Sequence, residues 1–142
     1  MAVLLRSVKK WQVHLLEDLG NHRGSDDDEV VKLCGQHGLT IVTCDDMRYT
    51  PETMAAMVAY GVGVFKVVSA NANTERKAAA MIVASDRMIQ LVNAHKGEAF
   101  CAHVRLDGYV NHKVDAFKAF PARTESQRLT ERKYGPLFSL KA

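Results

Sequence analysis

Apolar positions along the chain fall into short continuous runs separated by stretches of three- and four-residue spacing, a pattern that predicts strands alternating with helices. "QVHLLEDL" (12–19) reads as a short strand. "SDDDEVVKLCGQHG" (25–38) reads as a helix with Val30, Val31, Leu33 and Cys34 inward and Gly38 as its stop. "LTIVTC" (39–44) is continuous rather than alternating in its apolar residues, as expected of a strand covered on both faces. "TPETMAAMVAYG" (50–61) has Thr50 as N-cap, Pro51 at the first helical position, Met54, Met57 and Val58 on one face, and Gly61 as its end. "VGVFKVV" (62–68) is a further strand. "TERKAAAMIVASDRMIQLVNAHKG" (74–97) is a long helix, with Met81, Ala84, Met88, Leu91 and Val92 at helical spacing. "FCAHVRLDGYVNHKV" (100–114) reads as a hairpin turned at Asp107-Gly108.

This order predicts an α/β fold with a mainly parallel sheet and a C-terminal hairpin in residues 1–114. Residues 115–142 have weak periodicity, broken by Pro121 and "YGP", and read as an extension. The charge sharpens that boundary. Residues 1–114 balance 13 basic against 13 acidic side chains, so the net +3 lies in the tail, where Lys118, Arg123, Arg128, Arg132, Lys133 and Lys141 face Asp115, Glu125 and Glu131. A basic tail suits a phosphate backbone or an acidic partner.

A length of 142 residues with 47% apolar content fits one globular domain and excludes disordered and collagen-like classes. No apolar run approaches the roughly 20 residues that span a bilayer. "MAVLL" is followed at once by Arg6, Lys9 and Lys10, which is not a signal-peptide layout, so a cytoplasmic protein without membrane contact is expected. Cys34, Cys44 and Cys101 are odd in number, widely spaced and set in apolar stretches, so buried, reduced thiols are expected.

In open parallel sheets the chemistry lies beyond the carboxyl ends of the strands. Asp45 and Asp46 follow one strand there, Glu17 and Asp18 end the preceding one, and "DDDE" (26–29) opens the helix between them. So many carboxylates at one edge repel, and a hard cation such as Mg²⁺ or Mn²⁺ relieves that repulsion. The blander reading is that Asp26, Asp27, Asp28 and Glu29 are a solvated helix start, favoured by the macrodipole, with Ser25 and Asp28 resembling a capping box. Asp45 is less easily explained as a cap, because Thr50 already serves the next helix.

The stretch "GSDDDEVVKLCGQHGLTIVTCDDMRYTPETMAAMVAYGVGVFKVV", followed by "FCAHVRLDGYVNHK", resembles PIN-like domains of the VapC toxin ribonuclease subgroup. The shared order is a glycine, an acidic helix start, a strand ending in "T-x-D", basic residues, a "P-x-E" helix and a glycine before the next strand, over residues 12–114. The resemblance implies a three-layer fold of PIN-like type and a Mg²⁺- or Mn²⁺-dependent endoribonuclease, a hydrolase in which a cation activates water against an RNA phosphodiester. By position it makes Asp27, Asp28 and Asp45 catalytic, Asp27, Asp45 and Asp46 metal ligands, and Arg48 a substrate contact, although relatives often carry a basic residue where Asp46 stands. Asn71 and Asn73 fall where the family places a further polar group. The family opens on a strand ending in Asp, whereas the first 16 residues here contain no acid. The resemblance therefore implies an N-terminally short domain, with Glu17 or Asp18 as stand-ins by location. A sheet short of one edge strand invites a homodimer, and the subgroup implies an antitoxin-like partner. The alternative is a catalytically degenerate module that binds RNA or a protein.

Other readings are weaker. Cys34 and His37 with Cys44 lack the paired spacing of zinc sites. A nucleophilic Cys44 would have its thiolate opposed by Asp45. "CDDM" resembles the acidic pocket of receiver domains, but there the acid pair follows the first strand, and no strand-end lysine stands out. His14 and His103 read as core or sheet-surface residues, the methionine stripe as core, and Trp11, Tyr49 and Tyr60 as packing rather than base-stacking groups.

Overall fold

The structure, a computed structural model, describes residues 27–44, 50–68, 72–114 and 116–117. The expected strand at 12–19, the capping Ser25, and most of the tail lie outside them. Within them run α1 (Asp27–Gln36), β1 (Ile41–Thr43), α2 (Pro51–Tyr60), β2 (Gly63–Val67), α3 (Thr74–Ala94), β3 (Phe100–Val104) and β4 (Val110–His112). This is the expected α/β order. Four strands form one sheet in the order β1-β2-β3-β4, parallel from β1 to β3 and antiparallel at β4.

Local chemistry sets the helix ends. The Thr50 hydroxyl oxygen accepts from the Thr53 amide at 3.2 Å, Pro51 supplies the pre-set φ of a first helical position, and Gly61 closes α2 at φ 64° while donating its amide to the Met57 carbonyl. Asn73 caps α3, its side chain accepting from the Arg76 amide at 2.9 Å. That helix stops at Ala94, three residues short of the predicted end, because residues 95–97 form a turn with Gly97 at φ 72°. The hairpin turn is a five-residue loop rather than a tight one. Arg105 donates its amide to the Tyr109 carbonyl, Gly108 takes φ 86°, and the Asp107 carboxylate accepts from the Tyr109 amide at 3.0 Å.

Strand alternation divides the core into two clusters. Phe65, Val67, Phe100, Ala102, Val104 and Val110 point to the face covered by α3, through Ala80, Met81, Ala84, Met88 and Leu91. Val64 and Ile41 point to the other, against Val31 and Cys34 of α1 and Ala56, Met57 and Tyr60 of α2. Helices thus cover both faces. Both crossovers, β1-α2-β2 and β2-α3-β3, step the same way across the sheet with their helices on opposite faces. They therefore have opposite hands, and one takes the left-handed sense that parallel βαβ units rarely adopt.

Two expectations change in detail. β1 is not buried on both faces: Val42 is 38% exposed, because α3 packs over β2, β3 and β4 and leaves that side of the outermost described strand uncovered. Phe117, inside the predicted extension, packs against the α1–α2 cluster, so the core reaches past residue 114.

The parallel register sets Gly63 opposite Phe100. A Cβ on Gly63 would run into the Phe100 ring, which is 3% exposed and meets Phe65 edge-on with centroids 5.2 Å apart. Gly63→Ala is expected to cost about 1–3 kcal/mol through overpacking, and Thr50→Ala about 1 kcal/mol through loss of the cap. Urea unfolding of both variants, with unchanged denaturant slope, checks the ranking; a neutral Gly63→Ala would mean that the ring is free to move.

Candidate functional site

α1 leads through a turn directly into β1. Gly38, at φ 65°, reverses the chain, and the Leu39 amide donates to the Cys34 carbonyl at 2.8 Å. α1 packs on the sheet face that carries Ile41 and Val64, so it runs antiparallel to β1 and its start lies toward the carboxyl ends of the parallel strands. α2 leaves the carboxyl end of β1 and runs alongside α1: Gly35, near the end of α1, abuts Tyr60 at the end of α2. The starts of α1 and α2 therefore share one edge of the sheet.

Asp27 and Asp28 are the first two residues of α1, Asp27 half-buried and Asp28 exposed. The fold brings them to the edge at which β1 ends in Thr43, two residues before Asp45. Asp45, Asp46 and Arg48 lie outside the described residues, as do Glu17, Asp18, Asp26 and Asn71. Asn73 is occupied as the cap of α3. Among the described residues no three His, Cys, Asp or Glu side chains are grouped as a metal site. Cys34 is buried, and burial pushes its thiol up from its ordinary value, while His37 is exposed. Desolvation also raises the Tyr60 phenol.

A second group of side chains emerges only from the strand register. Thr43, Lys66, His103 and Asn111 are register partners across all four strands, on the face shared with α1 and α2. Lys113 joins them: its amide donates to the Cys101 carbonyl at 2.8 Å, which sets it diagonal to His103 on that face. His103 is half-buried, and burial first, then the charges of Lys113 and Lys66, lower its pKa from the ordinary 6.5. Just beyond these residues, Val68, Arg105, Leu106 and Asp107 line an open recess of about 430 Å³. Arg105 pairs with Asp107 at 3.3 Å and lies 5.9 Å from the Tyr109 ring centre.

Sequence reasoning missed this row. Lys66 is the lone polar residue of "GVFKVV" and the penultimate residue of β2, a strand-end lysine that the apolar pattern hid. Its partners are far away in sequence, and only pairing brings them together.

On the opposite face of the sheet, the one covered by α3, His112 of β4, His95 at the end of α3 and Phe100 form a ring cluster. The two imidazole centroids are 5.0 Å apart, and His95 Nδ1 is 3.8 Å from Glu98. Burial, then the nearby His95 and Arg87, lower the His112 pKa.

No protein-family model matches this chain, and no curated protein or solved structure shows significant similarity to it. No helix among the described residues is long and apolar enough to cross a membrane.

His103 and His112 are both held below the ordinary 6.5 in the folded chain, so the unfolded chain takes up protons first as the pH falls. The stability contributed by the two neutral rings is full above about 6.5 and is lost on acidification below it. Urea midpoints are expected to fall between pH 7 and pH 5, and His112→Asn should flatten that slope. An equal slope in the variant would rule out His112 as a contributor.

Proposed function

We propose that the carboxyl edge of the sheet is the working site of a divalent-metal-dependent ribonuclease with a three-layer, PIN-like fold. The observation that supports this most directly is the chain direction: α1 starts, with Asp27 and Asp28, at the edge where β1 runs toward Asp45. The carboxylates of Asp27 and Asp28 at that edge are oxygen donors of the kind that hard cations prefer. Asp27, Asp45 and Asp46 would hold Mg²⁺ or Mn²⁺, with Asp28 beside them. Bound there, such an ion would neutralise charge on a phosphodiester and ease deprotonation of the attacking water. Arg48 would hold a phosphate oxygen by charge-assisted hydrogen bonds, and the basic tail would add attraction to the strand. RNA is the partner this reading implies. An antitoxin-like protein and a homodimer are further implications of the motif resemblance, as is a cytoplasmic setting.

A second reading, a module that binds RNA without cutting it, draws support from the Lys66, His103 and Lys113 group, which can attract phosphate with no metal. The two readings part at Asp45. Titration of Mn²⁺ into the wild type, followed by calorimetry, is expected to show saturable binding that Asp45→Asn loses. RNA cleavage should require the metal and fall at least about 100-fold in the variant, with its thermal midpoint nearly unchanged. Cleavage that survives Asp45→Asn removes Asp45 from the mechanism; no metal binding by either protein leaves the non-cutting module as the function.

A further inference from the structure

A recess of about 430 Å³ lies where the chain leaves β2 and β3, lined by Val68, Arg105, Leu106 and Asp107. The Val68 amide donates to the Val104 carbonyl at 2.9 Å, which ties the ends of the two strands together there. The lining is of two kinds. Val68 and Leu106 are half-buried apolar side chains, and Leu106 packs against the α3 cluster. Arg105 and Asp107 are exposed and paired at 3.3 Å, so a donor and an acceptor stand side by side and their charges cancel. The loop that carries three of these residues is braced. The Arg105 amide donates to the Tyr109 carbonyl, the Asp107 carboxylate accepts from the Tyr109 amide, and Gly108 sits so close to α3 that a Cβ on it would collide with Val83. The Arg105 guanidinium itself is held by Asp107 and by the Tyr109 ring, whose centre is 5.9 Å away. Holding a planar group in place before a ligand arrives lowers the ordering cost of binding.

We propose that this recess binds one unstacked nucleobase, its ring laid on the Arg105 guanidinium plane and its polar edge met by the Asp107 carboxylate. The lining selects a base over a bare anion. Phosphate suits cations without a counter-charge, whereas here a carboxylate cancels the guanidinium and repels an anion. A base is flat and apolar on its faces and carries N–H donors on its edge, which matches a guanidinium plane, two apolar side chains and an acceptor. Tyr109 is a positioning residue, because it acts through Arg105. The recess lies at the carboxyl edge of the sheet, two strand spacings or roughly 10 Å across from the end of β1. That the base belongs to an RNA strand being cut rests on the ribonuclease reading; the recess itself needs no metal and none of Asp27, Asp28 and Asp45.

The test records the amide NMR signals of Leu106, Asp107 and Gly108 in buffer containing EDTA. The full chain is titrated with a ten-nucleotide single-stranded RNA, with an abasic strand of the same length, and with a nucleoside monophosphate. The base-bearing strand is expected to shift these signals saturably, and the abasic strand to leave them in place. Arg105→Ala should weaken the response about tenfold, and Arg105→Lys, which keeps the charge but loses the plane, should be equally weak. Tyr109→Ala should weaken it about threefold, with Tyr109→Phe restoring it. Saturation by RNA at far lower concentration than by the mononucleotide assigns the base to a strand; equal saturation assigns the recess to a free nucleotide. Equal shifts from the base-bearing and abasic strands, no shift from either, or wild-type binding by Arg105→Lys overturns the proposal. The abasic comparison is made on the wild type, so it stands whether or not every variant folds. An intact loop response beside absent cleavage counts against the ribonuclease alone, whereas metal-dependent cleavage with no loop response counts against the base site alone.

Discussion

The fold depends on one close approach, that of the Phe100 ring to the backbone of Gly63. Parallel pairing sets these two residues opposite each other, and the ring occupies the space that a side chain on Gly63 would fill. From there Phe100 presents itself to Phe65 edge-on, an arrangement favoured by the aromatic quadrupole, and to His95 and His112 at centroid distances of 5.5 and 6.5 Å. One ring thus ties the centre of β2 to the end of α3 and to β4. The alignment of β2 with β3 follows from it. A slip of one residue would drive Phe100 into Val62 or Val64 and turn every buried side chain of β3 to the wrong face.

That alignment also positions the candidate site. Lys66 and His103 meet because Gly63 and Phe100 do, three residues earlier on the same two strands. The glycine-phenylalanine contact at one end of the pair and the polar row at the other are two readings of the same register. The acids at the start of α1 reach their edge by a different route, through the Gly38 turn and the packing of Val31 and Cys34 on the sheet.

Much of the architecture was legible in the residues because it rests on short-range chemistry. Thr50, Pro51 and Gly61 act within one helix, and each performs the capping or stopping role its type suggests. The Met81, Ala84, Met88, Leu91 stripe needs only helical periodicity, and all four are buried. What could not be read depends on contacts distant in sequence. Val42 looks like any buried strand residue until α3 is seen to cover the other three strands instead. His103 and Lys113 are ordinary residues until pairing brings Lys66 alongside. At the candidate site, only the Asp27 and Asp28 helix start can be compared with the sequence reading, and it lies at the expected edge; the carboxylates after β1 belong to residues outside those described.

The two opposite-handed crossovers have a consequence for how this chain can change over time. Among the described residues they leave α1 and α2 on one face and α3 on the other, with the sheet between the two apolar clusters. Side chains of the two clusters point to opposite faces of the sheet, so their energetic effects should largely add rather than interact. The α3 face can therefore absorb substitutions, including its loosely constrained methionines, without reshaping the face that carries the polar row. In evolutionary terms the sheet acts as a partition, with one side free to drift in composition and the other able to be selected for what it binds.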